Sequence, residues 1–284
     1  MSHTVQEYGP EASAAAGQRV PVQVISVTSG KGGVGKTNVV ANLGLALARE
    51  GKRVVILDAD LGLGNLDVLL GLVPQWSIEH VLAGTKRLTD ILMEGPAGIK
   101  ILPASSGTPQ LTALNESQLM LLQDELEALV QSYDVLLIDT GAGISSNVTF
   151  FASAAHEIIV VVSPEPTSLT DAYALMKVLS RQHRERRFRV LINMVKNQRE
   201  AAHVFRKLDR AAERFLHLSL DAIGFIPLDD YLPLSVTEQR AVGDLFPKAP
   251  SSRAFTQLGS VVSAWERAPL PKGTVQFLWH HLLS

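Results

Sequence analysis

The feature that most constrains this chain is an apolar segment that runs directly into a glycine-rich loop, residues 22–37, VQVISVTSGKGGVGKT. Val22 to Val27 is rich in β-branched residues and carries no charge, which predicts a buried strand. The loop matches G-x-x-x-x-G-K-[ST], and Val40, Leu43 and Leu47 then recur at helical spacing. A strand, this loop and a helix in that order predict an α/β domain that binds phosphate at its first turn.

Each residue type in this loop suits a phosphate ligand. Glycines let successive backbone N–H groups point inward, and the N-terminus of the next helix adds partial positive charge. Lys36 is expected to reach the β- and γ-phosphates, and the Thr37 hydroxyl is the expected Mg²⁺ ligand. A glycine-rich turn that binds nothing is the alternative, but it does not account for the flanking strand and helix. We therefore predict contacts with ATP or ADP from Gly30, Lys31, Gly32, Gly33, Val34, Gly35, Lys36, Thr37 and Asn38.

Two further predicted strands end in aspartate. The segment Arg53 to Leu57 is followed by Asp58 and Asp60, and the apolar run after Tyr133 ends in Asp139. In open α/β sheets, ligands bind beside the carboxyl ends of the strands. Asp139 is therefore expected to hold Mg²⁺ through water, as the acid that ends such a strand does in P-loop proteins. Aspartates that only cap helices or tight turns are the alternative.

Strand and helix patterns alternate along the chain, which predicts one doubly wound, mostly parallel sheet with helices on both faces. The predicted strands are 22–27, 53–57, 99–102, 133–139, 156–162, 190–195 and 221–227. The predicted helical segments after the first helix are 66–72, 78–82, 88–93, 116–131, 168–182 and 198–215. Thr167 or Ser168 is the expected N-cap of the helix over 168–182.

The composition excludes several kinds of protein. None of the 284 residues is cysteine, which excludes disulfides, thiolate nucleophiles and cysteine-held iron–sulfur clusters. The formal net charge of −2 provides no overall attraction to nucleic acid, and we expect no specific nucleic-acid partner. No apolar run is long enough to span a membrane, and residues 1–20 lack the features of a secretory signal. The expected location is the cytoplasm.

The two ends of the chain differ from its middle. We expect residues 1–20 to form a flexible tail, residues 21–268 to form the ATPase domain, and residues 269–284 to form an amphipathic helix. The apolar stripe of this terminal helix either packs on the domain or inserts into the inner face of the cytoplasmic membrane through residues 274–284. Its apolar members are Val275, Leu278, Trp279, Leu282 and Leu283.

A basic cluster lies in the second half of the chain. Such a cluster is a solvated helix end, a partner surface, or a patch for anionic lipid or DNA, and the sequence leaves these alternatives open. Its members are Arg181, Arg184, Arg186, Arg187 and Arg189.

The stretch KGGVGKT, with Lys31 directly after the first glycine, resembles the deviant Walker A loop of the MinD/ParA class of ATPases. The resemblance spans residues 22–265 and implies a homodimer that forms on ATP binding and encloses both nucleotides. Lys31 would then reach the partner's phosphates and act with Lys36 in catalysis. The same resemblance implies that Asp60 orients the attacking water and that Asp58 lies near Mg²⁺.

The resemblance also implies contacts beyond the phosphates. Glu165 matches a residue that contacts the nucleotide across the dimer. Asn193 matches the residue that grips adenine by its amide, and the loop from Pro227 to Asp229 matches the one that holds adenine by its backbone.

Three stretches, 57–72, 165–177 and 225–247, resemble a narrower group, the flagellar-number regulators called FlhG or FleN. This resemblance implies an ATP-dependent switch with slow hydrolysis that restrains an enhancer-binding transcription activator of flagellar genes. The group also works with a signal-recognition-type flagellar GTPase. The DQAxxL-type motif with which some members stimulate that GTPase is absent from residues 1–20.

Other functions are weighed against this one. A MinD-like septum-site ATPase or a ParA-like partitioning ATPase would use the same site. A metabolic P-loop enzyme is a remote alternative, because its redox representatives need cysteines. A protein that binds nucleotide without hydrolysing it would not require Lys36, Thr37, Asp60 and Asp139 together.

Overall fold

A computed structural model describes residues 21–104 and 114–266. The predicted N-terminal tail (1–20), the predicted terminal helix (269–284) and the last two residues of the predicted ATPase domain lie outside the described residues. None of the described helices is long and apolar enough to cross a membrane.

The strands form one eight-stranded sheet. They are β1 (Gln23–Ser29), β2 (Val54–Ala59), β3 (Met93–Glu94), β4 (Lys100–Leu102), β5 (Val135–Ala142), β6 (Glu157–Val162), β7 (Phe188–Val195) and β8 (Leu220–Pro227). Their spatial order is β3-β4-β2-β5-β1-β6-β7-β8. Every neighbouring pair is parallel except β3 with β4, which confirms the mostly parallel sheet.

Helices cover both faces of the sheet, so the doubly wound architecture is confirmed as well. They are α1 (Lys36–Arg49), α2 (Leu66–Leu69), α3 (Ile78–Leu82), α4 (Leu88–Ile91), α5 (Glu116–Val130), α6 (Ser146–Ser153), α7 (Pro166–Gln182), α8 (Gln198–Leu216), α9 (Tyr231–Thr237), α10 (Val242–Leu245) and α11 (Pro250–Ser263). Alternate residues of β1 point to opposite faces. Ile25 and Val27 pack with α1 and α11, whereas Val24 packs with α5.

The strand order places the ligand site. The chain leaves β1 towards β2 on one side and later returns through β5 to β6 on the other side of β1. Crevices form at such switch points, beside the carboxyl ends of the parallel strands. The loops after β1, β2 and β5 therefore meet at one place.

Some local predictions were wrong. Met93, predicted as the end of a helix, belongs to the short strand β3, which pairs antiparallel with β4. The helix predicted from Ser168 begins at Pro166 with Glu165 as its N-cap residue, because proline fits the first helical position, where no N–H bond is needed. The Ser168 hydroxyl instead accepts a hydrogen bond from the backbone N–H of Ser163, at 3.0 Å. Helices α6, α9, α10 and α11 were not predicted from the sequence.

Candidate nucleotide and magnesium site

The glycine-rich loop has the backbone conformation that an anion site needs. Gly33 and Gly35 have φ values of 77° and 83°, in the left-handed region that favours glycine. Gly35 is the N-cap of α1, and no side chain caps that end of the helix. The first N–H groups of α1 therefore remain available to an anionic ligand at the positive end of the helix dipole.

Gly30 lets the loop lie directly on another helix. A Cβ atom at Gly30 would lie 2.1 Å from the carbonyl carbon of Asp171 and 2.4 Å from the backbone nitrogen of Ala172, both in α7. At Gly32, by contrast, nothing lies within 4 Å of the position that a Cβ atom would take. The first glycine thus packs the loop against α7, while the second faces open space.

The different surroundings of Gly30 and Gly32 predict different effects of an alanine substitution on the free energy of unfolding. Gly30→Ala should lower the free energy of unfolding by about 3 kcal/mol, because backbone atoms of α7 cannot move aside as a side chain could. Gly32→Ala should change it by less than about 0.5 kcal/mol. Urea denaturation without nucleotide measures both variants, and equal stabilities would contradict the packing.

Lys36 forms a buried ion pair across the sheet edge. Its Nζ lies 2.5 Å from Oδ1 of Asp139, and the two side chains are 9% and 1% exposed. Asp139 in turn pairs in register with Val27 of β1 and Asp58 of β2. The parallel register of β2 and β5 thus places the side chains of Asp58 and Asp139 close to Lys36 of the loop.

Burial makes this cluster electrostatically unusual. Desolvation, helped by the nearby charge of Asp139, raises the pKa of Asp58 to about 8. The backbone N–H groups of Asp60 and Leu66 donate to the two oxygens of Asp58, at 3.1 and 3.2 Å. At that pKa the carboxyl group of Asp58 is mainly protonated near neutral pH, and a cation beside Asp58 and Asp139 would favour its ionised form.

The donor set fits Mg²⁺, which prefers oxygen ligands and keeps several waters. The Thr37 hydroxyl comes from the first turn of α1, and Asp58 and Asp139 supply the buried carboxylates. Among the described residues, no group of three or more His, Asp or Glu side chains could hold a metal by itself. Ligation of Mg²⁺ by Thr37, Asp58 and Asp139 stays a prediction.

Asp60 lies between the loop and the end of β5. Its Oδ1 is 3.5 Å from the position that a Cβ atom would take at Gly141, an ordinary contact distance, so the carboxylate lies next to the backbone of that glycine. Partial burial raises the pKa of Asp60, and the positive charge of Lys36 opposes that shift. A carboxylate of raised basicity beside the phosphate loop can accept a hydrogen bond from a water.

Lys31 is engaged within its own chain. Its Nζ forms an ion pair with Glu165 and donates to the Thr167 hydroxyl at 3.0 Å. The structure thus brings two predicted nucleotide contacts, Lys31 and Glu165, together in one chain. Thr167 was assigned only a capping role from the sequence, because its contact with Lys31 exists only in the fold.

Asn193 holds the phosphate loop. Its buried side-chain amide donates to the carbonyl of Val34 at 2.8 Å, and its Oδ1 accepts from the N–H of Met194 at 2.9 Å. Met194 has a φ of 59°, a strained value for a residue with a side chain. A Cβ atom at Gly35 would lie 2.5 Å from Nδ2 of Asn193, so this glycine permits the close approach.

The loop after β8 is anchored next to the end of β7. The backbone N–H of Leu228 donates to the carbonyl of Val195 at 2.8 Å. Asp229 accepts from the N–H of Tyr231 and from both the N–H and the hydroxyl of Ser251, the second residue of α11. Burial alone would raise the pKa of Asp229, but these hydrogen bonds outweigh it and lower the pKa. The Asp229 side chain therefore shapes the loop that starts at Pro227, and the predicted backbone contact with adenine stays a prediction.

Comparison with known proteins decides the family. A family model described as an AAA domain matches residues 22–192. The antiactivator FleN of Pseudomonas aeruginosa is 46% identical over 268 residues, which cover 94% of this chain and 96% of that protein. The septum site-determining protein MinD of Pyrococcus horikoshii, solved with Mg-ADP, superimposes with a TM-score of 0.68 at 27% identity, covering 86% of this chain and 97% of that one. This chain belongs to the MinD/ParA class of P-loop ATPases.

A second relative is also similar over most of its length. The flagellum site-determining protein YlxH of Helicobacter pylori is 33% identical over 264 residues, which cover 92% of this chain and 89% of that protein. As a MinD/ParA-class ATPase close to FleN, the chain hydrolyses ATP and uses Mg²⁺. The resemblance inferred from KGGVGKT and from residues 57–72, 165–177 and 225–247 is thereby confirmed.

In this MinD/ParA-class ATPase, the contact between Asn193 and Val34 predicts an effect that does not depend on the base. Asn193→Ala should weaken binding of tripolyphosphate, which lacks adenine, by about tenfold, because the loop loses a buried hydrogen bond. Isothermal titration calorimetry measures this affinity beside that of ATP. Asn197→Ala is the matched control, since Asn197 caps α8 by accepting from the N–H of Glu200 at 3.0 Å. Lower ATP affinity with unchanged tripolyphosphate affinity would assign Asn193 to adenine alone.

Proposed function

We propose that this protein is an ATP-driven dimerising switch that regulates flagellar number. The observation that carries the proposal is similarity to FleN over nearly the whole of both chains. The name of FleN, an antiactivator, supports restraint of a transcription activator as the mode of action. The name of YlxH, a flagellum site-determining protein, supports the flagellar context.

The site supports a mechanism in which Lys36 changes partners. When ATP enters, Lys36 exchanges its contact with Asp139 for a phosphate oxygen, and Asp139, Asp58 and the Thr37 hydroxyl would then be the residues that hold Mg²⁺. Mg²⁺ neutralises charge on the phosphates when bound. The cost of burying two acidic side chains beside one lysine would thereby be relieved in the substrate complex, which favours the loaded state.

Hydrolysis requires an oriented water. Asp60 accepts a hydrogen bond from the water, whose oxygen bonds to the γ-phosphorus as the bond to the β–γ bridging oxygen breaks. Lys31 leaves Glu165 and Thr167 to stabilise phosphate charge in the second copy of the homodimer. Turnover is slow, because hydrolysis serves to end the dimeric state rather than to accumulate product.

The partners follow from the same proposal. The dimer restrains an enhancer-binding activator of flagellar genes, and it also works with a signal-recognition-type flagellar GTPase. The protein acts in the cytoplasm, and residues 274–284 provide a peripheral contact with the inner face of the membrane.

The test is the number of flagella per cell, counted by electron microscopy. Cells that lack the gene should carry extra flagella, and the wild-type gene should restore the normal number. Cells that carry Asp60→Ala should not show the normal number either, because the switch would stay in one state. An unchanged count with misplaced septa would support the MinD-like alternative, and an unchanged count with lost plasmids would support the ParA-like one.

A further inference from the structure

The chain segregates its charge. Residues 181–217 contain eleven Lys and Arg residues but four Asp and Glu residues, a net charge of +7. The rest of the chain must then carry −9, since the whole chain carries −2. The nearly neutral composition therefore conceals one strongly basic region.

The fold gathers part of this charge at one end of the sheet. Both α7 and α8 connect parallel strands, so both helices end at the amino edge, opposite the nucleotide site. Phe188, at the start of β7, lies in register with Leu220, at the start of β8. The last turns of the two helices and the loop before β7 consequently lie side by side. The six arginines there, which we call the arginine edge, are Arg181, Arg184, Arg186, Arg187, Arg210 and Arg214.

These arginines are exposed, and none forms an ion pair with another described residue. The acidic groups nearby do little to neutralise them. Asp209 accepts a backbone hydrogen bond from Leu220 at 3.2 Å, Glu185 is buried, and Glu213 is the exposed acid of the last turns of α8. Unpaired guanidinium groups at such density attract phosphate groups, which they bind through paired hydrogen bonds.

The arginine edge can attract an anionic membrane surface, but it cannot insert into the bilayer. The apolar side of α8, including Val204, Leu208 and Leu216, is already buried against the sheet. Phe215 is the large apolar side chain of α8 that is exposed, at 57%. A second element is therefore needed if this end of the molecule is to hold on to a bilayer.

The described part of the chain ends at the same edge. The ring of Trp265, next to the last described residue, lies 3.8 Å from the guanidinium carbon of Arg189 near the start of β7. Residues 274–284, the part of the predicted terminal helix (269–284) that carries the apolar stripe, contain no Lys, Arg, Asp or Glu, and Lys272 is the one such residue in the whole predicted helix. Interfacial helices that bind anionic membranes usually carry their own cationic residues. In this chain the folded domain has the cations and the terminal segment has the apolar stripe.

We propose that the arginine edge binds the headgroups of anionic phospholipids. The inference rests on the membrane contact in the proposed function and adds the surface that selects anionic lipid. Stable membrane attachment generally needs two such signals, because one short apolar segment binds weakly. The two contributions are physically different: arginine attraction falls with salt, whereas apolar insertion does not.

The test is co-sedimentation of the full chain, with ATP and Mg²⁺, with vesicles of phosphatidylcholine alone or mixed with phosphatidylglycerol. Arg186→Gln/Arg187→Gln/Arg210→Gln should reduce partition onto the mixed vesicles by about 100-fold, since each arginine near an anionic surface contributes about fivefold. The matched control, Lys196→Gln/Lys248→Gln/Arg253→Gln, removes the same charge from exposed positions near the opposite edge. It should partition like the wild type. Added salt should release the wild type from mixed vesicles.

Three outcomes would overturn the inference. If the wild type partitioned equally onto both kinds of vesicle, membrane binding would depend on residues 274–284 alone. Deletion of those residues tests that explanation separately. Equal loss in the triple variant and its control would reduce the effect to net charge. Unchanged vesicle binding with lost binding to duplex DNA would assign the arginine edge to nucleic acid. The flagellar proposal is read from flagellar counts and fails or stands independently of these results.

Discussion

Lys36→Ala is expected to lower the affinity for ATP by about 100-fold or more. A charge-assisted contact to phosphate contributes about 3 kcal/mol, and alanine supplies neither the charge nor the reach. Isothermal titration calorimetry with ATP and Mg²⁺ measures the loss. Lys207→Ala is the control for the loss of one lysine, and it should bind ATP like the wild type because Lys207 is exposed on α8, away from the phosphate loop.

The same substitution should also destabilise the protein without nucleotide. Removing Lys36 leaves Asp139, which is 1% exposed, without its partner and beside Asp58, and breaking a buried pair in this way costs about 3–5 kcal/mol. Urea denaturation measures the change. Lys36→Ala/Asp139→Asn should recover most of the loss, because the unpaired charge is gone. Equal stability of Lys36→Ala and the wild type would show that the ion pair does not form in solution.

Asp60→Ala is expected to lower the turnover number by a factor of about 10² to 10⁴ while ATP still binds. Its carboxylate lies beside Gly141 and the phosphate loop, where it can orient the attacking water. A single-turnover assay measures hydrolysis, and sedimentation velocity with ATP measures the oligomeric state. Under the proposed function the variant should accumulate as a dimer, because the step that releases it is blocked.

The control for this variant is Asp67→Ala, seven residues later in the first turn of α2. It should hydrolyse ATP like the wild type, since Asp67 lies outside the cluster of Lys36, Asp58 and Asp139. If Asp60→Ala retained full turnover, another group would have to orient the water. If it lost turnover but sedimented as a monomer with ATP, the dimeric switch would be wrong while the catalytic role of Asp60 would stand.

The nucleotide site could be predicted in large part from sequence because its parts are local. The strand, loop and helix around Lys36 are contiguous, and their residue types indicate a phosphate ligand. Asp58 and Asp139 could be placed near them because parallel strands end at a common edge. The MinD/ParA resemblance rests on the same local stretches, and the comparisons confirm it.

Predictions failed where a segment's environment, rather than its own pattern, decides its structure. Met93 fits a helical pattern, but the exposed edge of β4 offers hydrogen bonds that a short strand can use. Pro166 begins α7 because the first turn of a helix tolerates a residue without an N–H, so the hydroxyl of Ser168 is free to bond Ser163.

The sequence by itself determined the chemistry of this protein: a phosphate loop with two lysines, acids at the ends of strands, and no cysteine. Only the tertiary structure decided which of these groups touch. It paired Lys36 with Asp139, turned the amide of Asn193 towards the carbonyl of Val34, and collected arginines from two helices at the edge opposite the nucleotide. The physical reason is that the two side-chain contacts join residues 103 and 159 positions apart, and that the geometry of all three groupings follows from strand order and helix direction. The local sequence determines which side chain stands at each position, whereas the packing of the sheet determines which residues surround it.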